Sequence, residues 1–148
     1  MSNTEALPFD CTIEVRDACL CLHAQRAARA LARRFDEVLR PLDLTNGQFS
    51  LLMSLNRPAP PTLGSVAALL AMDRTTLTAA LKVLERRKLL QVKVDKKDRR
   101  SRRLVITAAG RRLLAKAYPV WQETHTAVEK SLATGAADQL RSALLTLS

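Results

Sequence analysis

Between Leu90 and Ile106 the apolar spacing of this chain changes from helical to alternating, and a strongly basic run sits where the alternation is interrupted. Leu90-Gln91-Val92-Lys93-Val94 alternates apolar and polar residues, and Leu104-Val105-Ile106 is apolar and largely β-branched. Both therefore read as strands, and Asp95-Lys96-Lys97-Asp98-Arg99-Arg100-Ser101-Arg102-Arg103 reads as the tip of the hairpin joining them. Six of the eight residues after Asp95 are cationic. A rigid cationic finger of this kind suits a polyanionic partner.

The remaining periodicity is helical. Leu20, Ala24, Ala27, Leu31, Phe35, Val38 and Leu42 recur at spacings of three and four, which predicts a helix from about Ile13 to Arg40, ended by Pro41 and preceded by a short arm over residues 1–10. Such a helix is too long to be covered by a small globule, so part of it is expected to meet another surface. Thr45-Asn46-Gly47-Gln48 has capping-box spacing and starts a helix bearing Phe49, Leu52, Met53 and Leu55. This helix stops before Pro58-Ala59-Pro60-Pro61.

Thr62 is placed to cap a short helix, Leu63 to Leu70, with Val66, Leu69 and Leu70 inward, and Ala71-Met72 forms a tight turn. Asp73 is a favourable N-cap for the next helix, whose Leu77, Leu81 and Leu84 form one stripe and leave Arg74, Thr75, Thr78 and Lys82 opposite. Two short helices joined by a tight turn, the second presenting small polar and basic residues, form a helix-turn-helix pattern, and the basic hairpin follows directly. Two further helices are expected, Arg111 to about Leu132 and Ala136 to Leu147. The fold class is thus all-α with a small β-hairpin wing.

Charge is informative through its placement. The net charge is +10, and residues 62 to 112 hold fourteen Lys and Arg against four acids, whereas the rest of the chain holds ten of each. A local excess of this kind is what nucleic-acid binding requires, because cations that neutralise phosphates release condensed counterions. A helix in the major groove can offer Arg74, Thr75, Thr76, Thr78 and Lys82 to bases and phosphates. The wing can bring Lys96, Lys97, Arg99, Arg100, Arg102 and Arg103 to the adjacent minor groove, whose negative potential attracts guanidinium groups where it narrows.

Other classes find less support. No apolar run approaches the roughly 18 residues of a membrane span. The N-terminus lacks a basic start and an apolar block, so no secretory signal is expected, and the odd set Cys11, Cys19 and Cys21 gives no disulfide framework, which fits a reducing cytoplasm. No phosphate loop, His-Glu-x-x-His or nucleophile elbow is present, so no enzymatic activity and no cofactor are expected. Cys19 and His23 stand four apart, but no second pair with ligand spacing follows, so no metal site is expected either.

Asp73-Arg74-Thr75-Thr76-Leu77-Thr78, then Leu84-Glu85-Arg86-Arg87-Lys88-Leu89-Leu90, then Asp98-x-Arg100 followed by Ile106-Thr107 and Gly110, resemble the MarR family of bacterial transcription regulators along essentially the whole chain. The resemblance implies a single domain of two parts: a winged helix-turn-helix lobe over residues 45–110, and a helical dimerisation region over 12–44 and 111–148. It also implies a homodimer on a pseudo-palindromic operator in double-stranded DNA. Relief of repression by a small aromatic or carboxylic effector is implied too, with His23, Arg26, Phe49, Met53, Tyr118 and Trp121 the residues placed to line its pocket. Two positions depart from the pattern: Ala79 stands where many relatives carry Arg or Asn, and Lys88 replaces the usual Gly before the wing.

Two alternatives stay open at this point. One is a thiol-based redox-sensing regulator using Cys19 or Cys21, since one branch of the family oxidises a cysteine early in the first helix. In that branch nearby tyrosines bond the sulfur, whereas the matching positions here look like Gln25 and Phe35. The other is a sequence-tolerant architectural DNA-binding protein.

Overall fold

A computed structural model describes residues 6–148. The chain divides into two compact units, one ending at Arg34 and one spanning Phe35–Ser148. The first contains α1 (Phe9–Ala18) and most of α2 (Leu20–Leu39). Part of the expected N-terminal arm, residues 1–5, lies outside the described residues, and Phe9 and Asp10 already belong to α1.

The single long first helix is thereby corrected. It begins earlier than Ile13 and breaks at Cys19, whose backbone is extended at φ −67° and ψ 109°. The break has a chemical cause that neither Gly nor Pro announces. The Leu22 amide donates to Cys19 Sγ at 3.4 Å, the His23 amide donates to the Cys19 carbonyl at 3.1 Å, and the His23 Nδ1–H donates to the same carbonyl at 2.8 Å. Cys19 thus acts as the N-cap of α2, satisfying donors that a helix start leaves unpaired.

The second unit begins with the end of α2 and a 3-10 turn at Arg40–Leu42, followed by α3 (Asn46–Leu55), α4 (Leu63–Leu69) and α5 (Arg74–Arg86). Strands β1 (Leu90–Val94) and β2 (Arg102–Ile106) then precede α6 (Ala108–Lys130) and α7 (Ala136–Leu147). The capping box of α3 is complete: Thr45 Oγ1 accepts from the Gln48 amide and Gln48 Oε1 accepts from the Thr45 amide, both at 3.1 Å. Thr62, Asp73 and Thr107 cap α4, α5 and α6 one way, each accepting from the amide three residues on.

The core of this unit is assembled from Leu39, Leu52, Leu55, Val66, Leu77, Leu81, Leu84, Leu90 and Leu104, each almost wholly buried. Full burial of one such leucine stabilises the fold by about 1.5–3 kcal/mol, so the α5 stripe alone fixes which face of that helix is left outside. Leu69 was expected inward but is 58% exposed; Ala67 takes the buried position beside Val66. Ala67 and Leu69 lie about 200° apart round the helix, so burying the Val66–Ala67 face turns Leu69 outward.

Among the described residues, three other than glycine adopt left-handed backbone: Asp43, Ala71 and Lys88, at φ 53°, 51° and 60°. Each terminates a helical segment with the same pair of bonds. At Lys88, the Leu89 amide donates to the Leu84 carbonyl (3.1 Å) and the Lys88 amide to the Glu85 carbonyl (2.9 Å). At Ala71, Met72 reaches Ala67 and Ala71 reaches Ala68; at Asp43, Leu44 reaches Leu39 and Asp43 reaches Arg40. Lys88 therefore takes the strained conformation at the position where the MarR pattern has glycine.

Candidate nucleic-acid interface

Asp73 organises the exposed face of α5. Its Oδ1 accepts from the Thr76 amide at 2.8 Å and its Oδ2 from the Thr76 hydroxyl at 2.7 Å, and these bonds hold its carboxyl below the usual carboxylate range. The Thr76 hydroxyl, expected to face nucleic acid, is turned back into this cap. Arg74, Thr75, Thr78 and Lys82 are exposed on one face with Ala79 between them, and together they line one shallow groove. The expected grouping of these four is therefore present.

The wing is held against α5 by Glu85, whose Oε2 accepts from the Val92 amide at 2.9 Å. Glu85 lies within the stretch that carries the MarR resemblance, but its spacing alone does not reveal this bond. The strands pair antiparallel, Leu90 opposite Ile106 and Val94 opposite Arg102. Arg102 and Arg103 thus belong to β2, and the tip is shorter than the basic run, closed by the Asp95 amide donating to the Ser101 carbonyl at 3.0 Å.

Asp95 is buried, at 9% exposure, and holds the base of the tip together. It accepts from the Lys97 amide at 3.1 Å and pairs with Arg103 at 3.3 Å; the amide first, and then the guanidinium, depress its pKa. Arg103 also donates to the Pro60 carbonyl at 2.9 Å, so this cation is committed within the protein rather than presented at the tip with the others.

Asp98 stays within its own turn. Its Oδ1 accepts from the Arg100 amide at 3.0 Å, and its carbonyl accepts from the Ser101 amide at 2.9 Å. It braces the backbone of the turn, as aspartates commonly do two residues ahead of a bonded amide, and does not grip the Arg100 guanidinium. Lys96, Lys97, Arg99, Arg100 and Arg102 are exposed, with Arg102 donating to the Arg99 and Ser101 carbonyls.

The wing is anchored to α6 through Thr107 and Gly110. The Thr107 hydroxyl donates to the Lys88 carbonyl at 2.8 Å while accepting from the Gly110 amide at 3.1 Å, and the Thr107 amide donates to the Leu89 carbonyl. A Cβ at position 110 would lie 2.2 Å from the Leu89 carbonyl oxygen, so only glycine fits.

A cavity of about 520 Å³ opens between α3, α4 and α6, lined by Phe49, Ser50, Met53, Ser54, Leu69, Leu70, Tyr118 and Trp121. Four of the residues expected around an effector, Phe49, Met53, Tyr118 and Trp121, come together here. Trp121 is the centre of a ladder, stacked on Phe49 at 6.2 Å, Tyr118 at 6.0 Å and His125 at 4.7 Å between ring centroids. Sequence reasoning did not assign His125 to this group, although its spacing of four from Trp121 places both on one helical face.

His23 and Arg26 are exposed on α2 in the first unit and are not among the lining residues. Cys21, on the same helix, is exposed and accepts from Gln25 Nε2 at 3.1 Å, while Cys19 is occupied as the α2 cap. Cys11 is half-buried on α1. Among the described residues no cluster of three His, Cys, Asp or Glu side chains could hold a metal ion, and no helix is long and apolar enough to cross a membrane.

A family model described as MarR family matches residues 42–101, the stretch from the 3-10 turn to the wing tip. Among solved structures, the chain is similar to the M. tuberculosis transcriptional regulator MosR in complex with DNA. The two are 37% identical, 87% of this chain aligns with 92% of that one, and the TM-score is 0.79. It is also similar to the transcriptional repressor CouR bound to a 23-mer DNA duplex, at 30% identity over 90% of this chain and 94% of that one, TM-score 0.79. CouR from Rhodococcus jostii RHA1 bound to p-coumaroyl-CoA shares the fold at 21% identity over 88% and 92%, TM-score 0.76. No curated protein sequence matches the chain.

Proposed function

Because the chain belongs to the MarR family of transcription regulators, we propose that it is a repressor that binds double-stranded operator DNA as a homodimer in the cytoplasm, acting by binding rather than by turnover. The observation that carries this reading is the pairing of one Asp73-capped helix face, Arg74, Thr75, Thr78 and Lys82, with a wing whose tip cations have no carboxylate partner among the described residues. The helix face enters the major groove and the wing tip follows the neighbouring minor groove. Residues 45–110 act as the DNA-binding lobe; residues 12–44 and 111–148 act as the dimerisation region. Two lobes then meet half-sites about one duplex turn, roughly 34 Å, apart.

The cavity beside Trp121 takes an effector. Its lining supplies aromatic rings, Met53, Leu69 and Leu70, with hydroxyls from Ser50, Ser54 and Tyr118 and no cation, so it favours a small aromatic group. An effector seated there bears on α3, α4 and α6 together, and by changing the separation of the two heads it costs their simultaneous fit to DNA.

Selection of bound fragments from the source genome, followed by competition with random DNA at physiological salt, tests the reading. A regulator prefers its own site by about 10³-fold or more. Equal affinity for random duplex would instead support the architectural alternative.

A further inference from the structure

Arg74 opens α5 at the position where a recognition helix commonly reads a base, yet its guanidinium lies elsewhere. A Cβ built on Gly64 would lie 3.0 Å from Arg74 Nη2 and 3.8 Å from Cζ, so the guanidinium rests on the bare backbone of α4. This places it at the edge of a second cavity, of about 370 Å³, where α4, α5 and the wing tip converge. The cavity is lined by Thr62, Leu63, Gly64, Arg74, Asp98, Arg100, Ser101 and Arg102.

The charge balance of this cavity is distinctive. Three arginines line it against one carboxylate, that of Asp98, which accepts from the Arg100 backbone amide, while the Arg102 guanidinium donates to the Arg99 and Ser101 carbonyls. Among the described residues, none of the three guanidiniums has a carboxylate within ion-pair distance. Three cations from two separate elements lining one small polar space make it electropositive, which favours an anion there. Their planar donors suit tetrahedral oxyanions, which they can bond in pairs.

We propose that this cavity seats one backbone phosphate of the operator, that Arg74 is a phosphate clamp and not a base reader, and that Gly64 is the positioning residue that lets Arg74 reach the clamp. The proposal rests on the DNA-binding reading above and assigns a division of labour within it. Base discrimination falls to Thr75, Thr78 and Lys82 around Ala79, while Arg74, Arg100 and Arg102 fix the register of helix and wing on a single phosphate. It also accounts for glycine at position 64, one residue into a helix that would otherwise favour a residue with a side chain.

The experiment uses the full-length protein and two duplexes, one recovered by selection from random sequence with the unaltered protein and one of scrambled sequence. Binding is measured over a range of salt for Arg74→Ala, Gly64→Val and the double variant, with circular dichroism as a folding control. Arg74→Ala is expected to weaken both duplexes alike and to lower the slope of log K against log salt by about 0.9, one phosphate's worth. Gly64→Val is expected to lower the slope similarly, and the double variant to do no more than either alone. Replacing the single contacted phosphate by a neutral methylphosphonate should abolish the difference between Arg74→Ala and the unaltered protein. An unchanged slope with lost discrimination at one base pair would make Arg74 a base reader and overturn the proposal. Additive losses in the double variant would overturn the role of Gly64. Failure of the unaltered protein to prefer its selected duplex would instead reject the regulator reading itself, so the two failures are distinguishable.

Discussion

Asp36 Oδ1 accepts two hydrogen bonds from one residue, the Asn46 backbone amide at 2.7 Å and the Asn46 side-chain amide at 2.8 Å. The pair ties the last turns of α2 to the first residue of α3. These bonds, the backbone one first, hold the Asp36 pKa below its ordinary value.

A depressed carboxylate pKa contributes stability that is present above the unfolded-state pKa, about 3.9, and is lost as pH falls through the folded value. Asp36→Ala is therefore expected to be less stable than the unaltered protein at neutral pH, by about 1 kcal/mol given its partial exposure. The gap should close in strong acid, where both forms lack the charge. Thermal unfolding of both proteins from pH 7 down to about pH 2 checks this, and a gap that persists unchanged at the lowest pH would contradict it.

The left-handed caps offer a stabilising test. An L-residue pays about 1–2 kcal/mol to occupy this region, whereas glycine does not, although glycine also loses more entropy on folding. Ala71→Gly and Lys88→Gly are each expected to raise stability by about 0.5–1 kcal/mol, measured by urea unfolding with unchanged m. Asp43→Gly should gain less, since aspartate tolerates the conformation better.

Gly110 is expected to tolerate no side chain. Gly110→Ala would press a methyl against the Leu89 carbonyl and Ile106 Cγ1 (2.8 Å), and both belong to the wing anchor. A loss of about 2–3 kcal/mol or more is expected in the same unfolding assay, because backbone rather than a flexible side chain would have to move.

Arg100 and Arg103 are both wing arginines, but they should behave oppositely. Arg100→Ala is expected to weaken DNA binding and to reduce the salt slope by about 0.9, with stability unaffected. Arg103→Ala frees the buried Asp95 and the Pro60 carbonyl from their partner, so the loss should appear in unfolding while the salt slope stays within error of the unaltered protein. Measuring both quantities for both variants separates a contact residue from a brace.

What could be read from sequence was local. Thr45 with Gln48, Thr62 and Asp73 identify their helices because a cap is settled by a few adjacent residues, and Leu77, Leu81 and Leu84 settle the inward face of α5 by spacing alone. Less legible features depend on partners distant in sequence or on chemistry outside ordinary propensities. The Cys19 break uses a thiol as a cap acceptor. Arg103 looked like its neighbours until Pro60, forty-three residues earlier, came within reach. Asp98 sits among guanidiniums, yet its bonded donor is the backbone amide of Arg100. The bond made by Glu85 was not legible, since its partner is the backbone of the next strand.

α7 has no buried residue, and Leu140, Leu144, Leu145 and Leu147 all stand open to solvent along it. In a dimer that covers these side chains, folding and association become one equilibrium of second order. Each tenfold dilution then weakens the assembled state by about 1.4 kcal/mol per dimer. A repressor built this way counts its own copies: at low abundance its occupancy of an operator rises with the square of the protomer concentration, so a modest change in synthesis becomes a sharper change in repression.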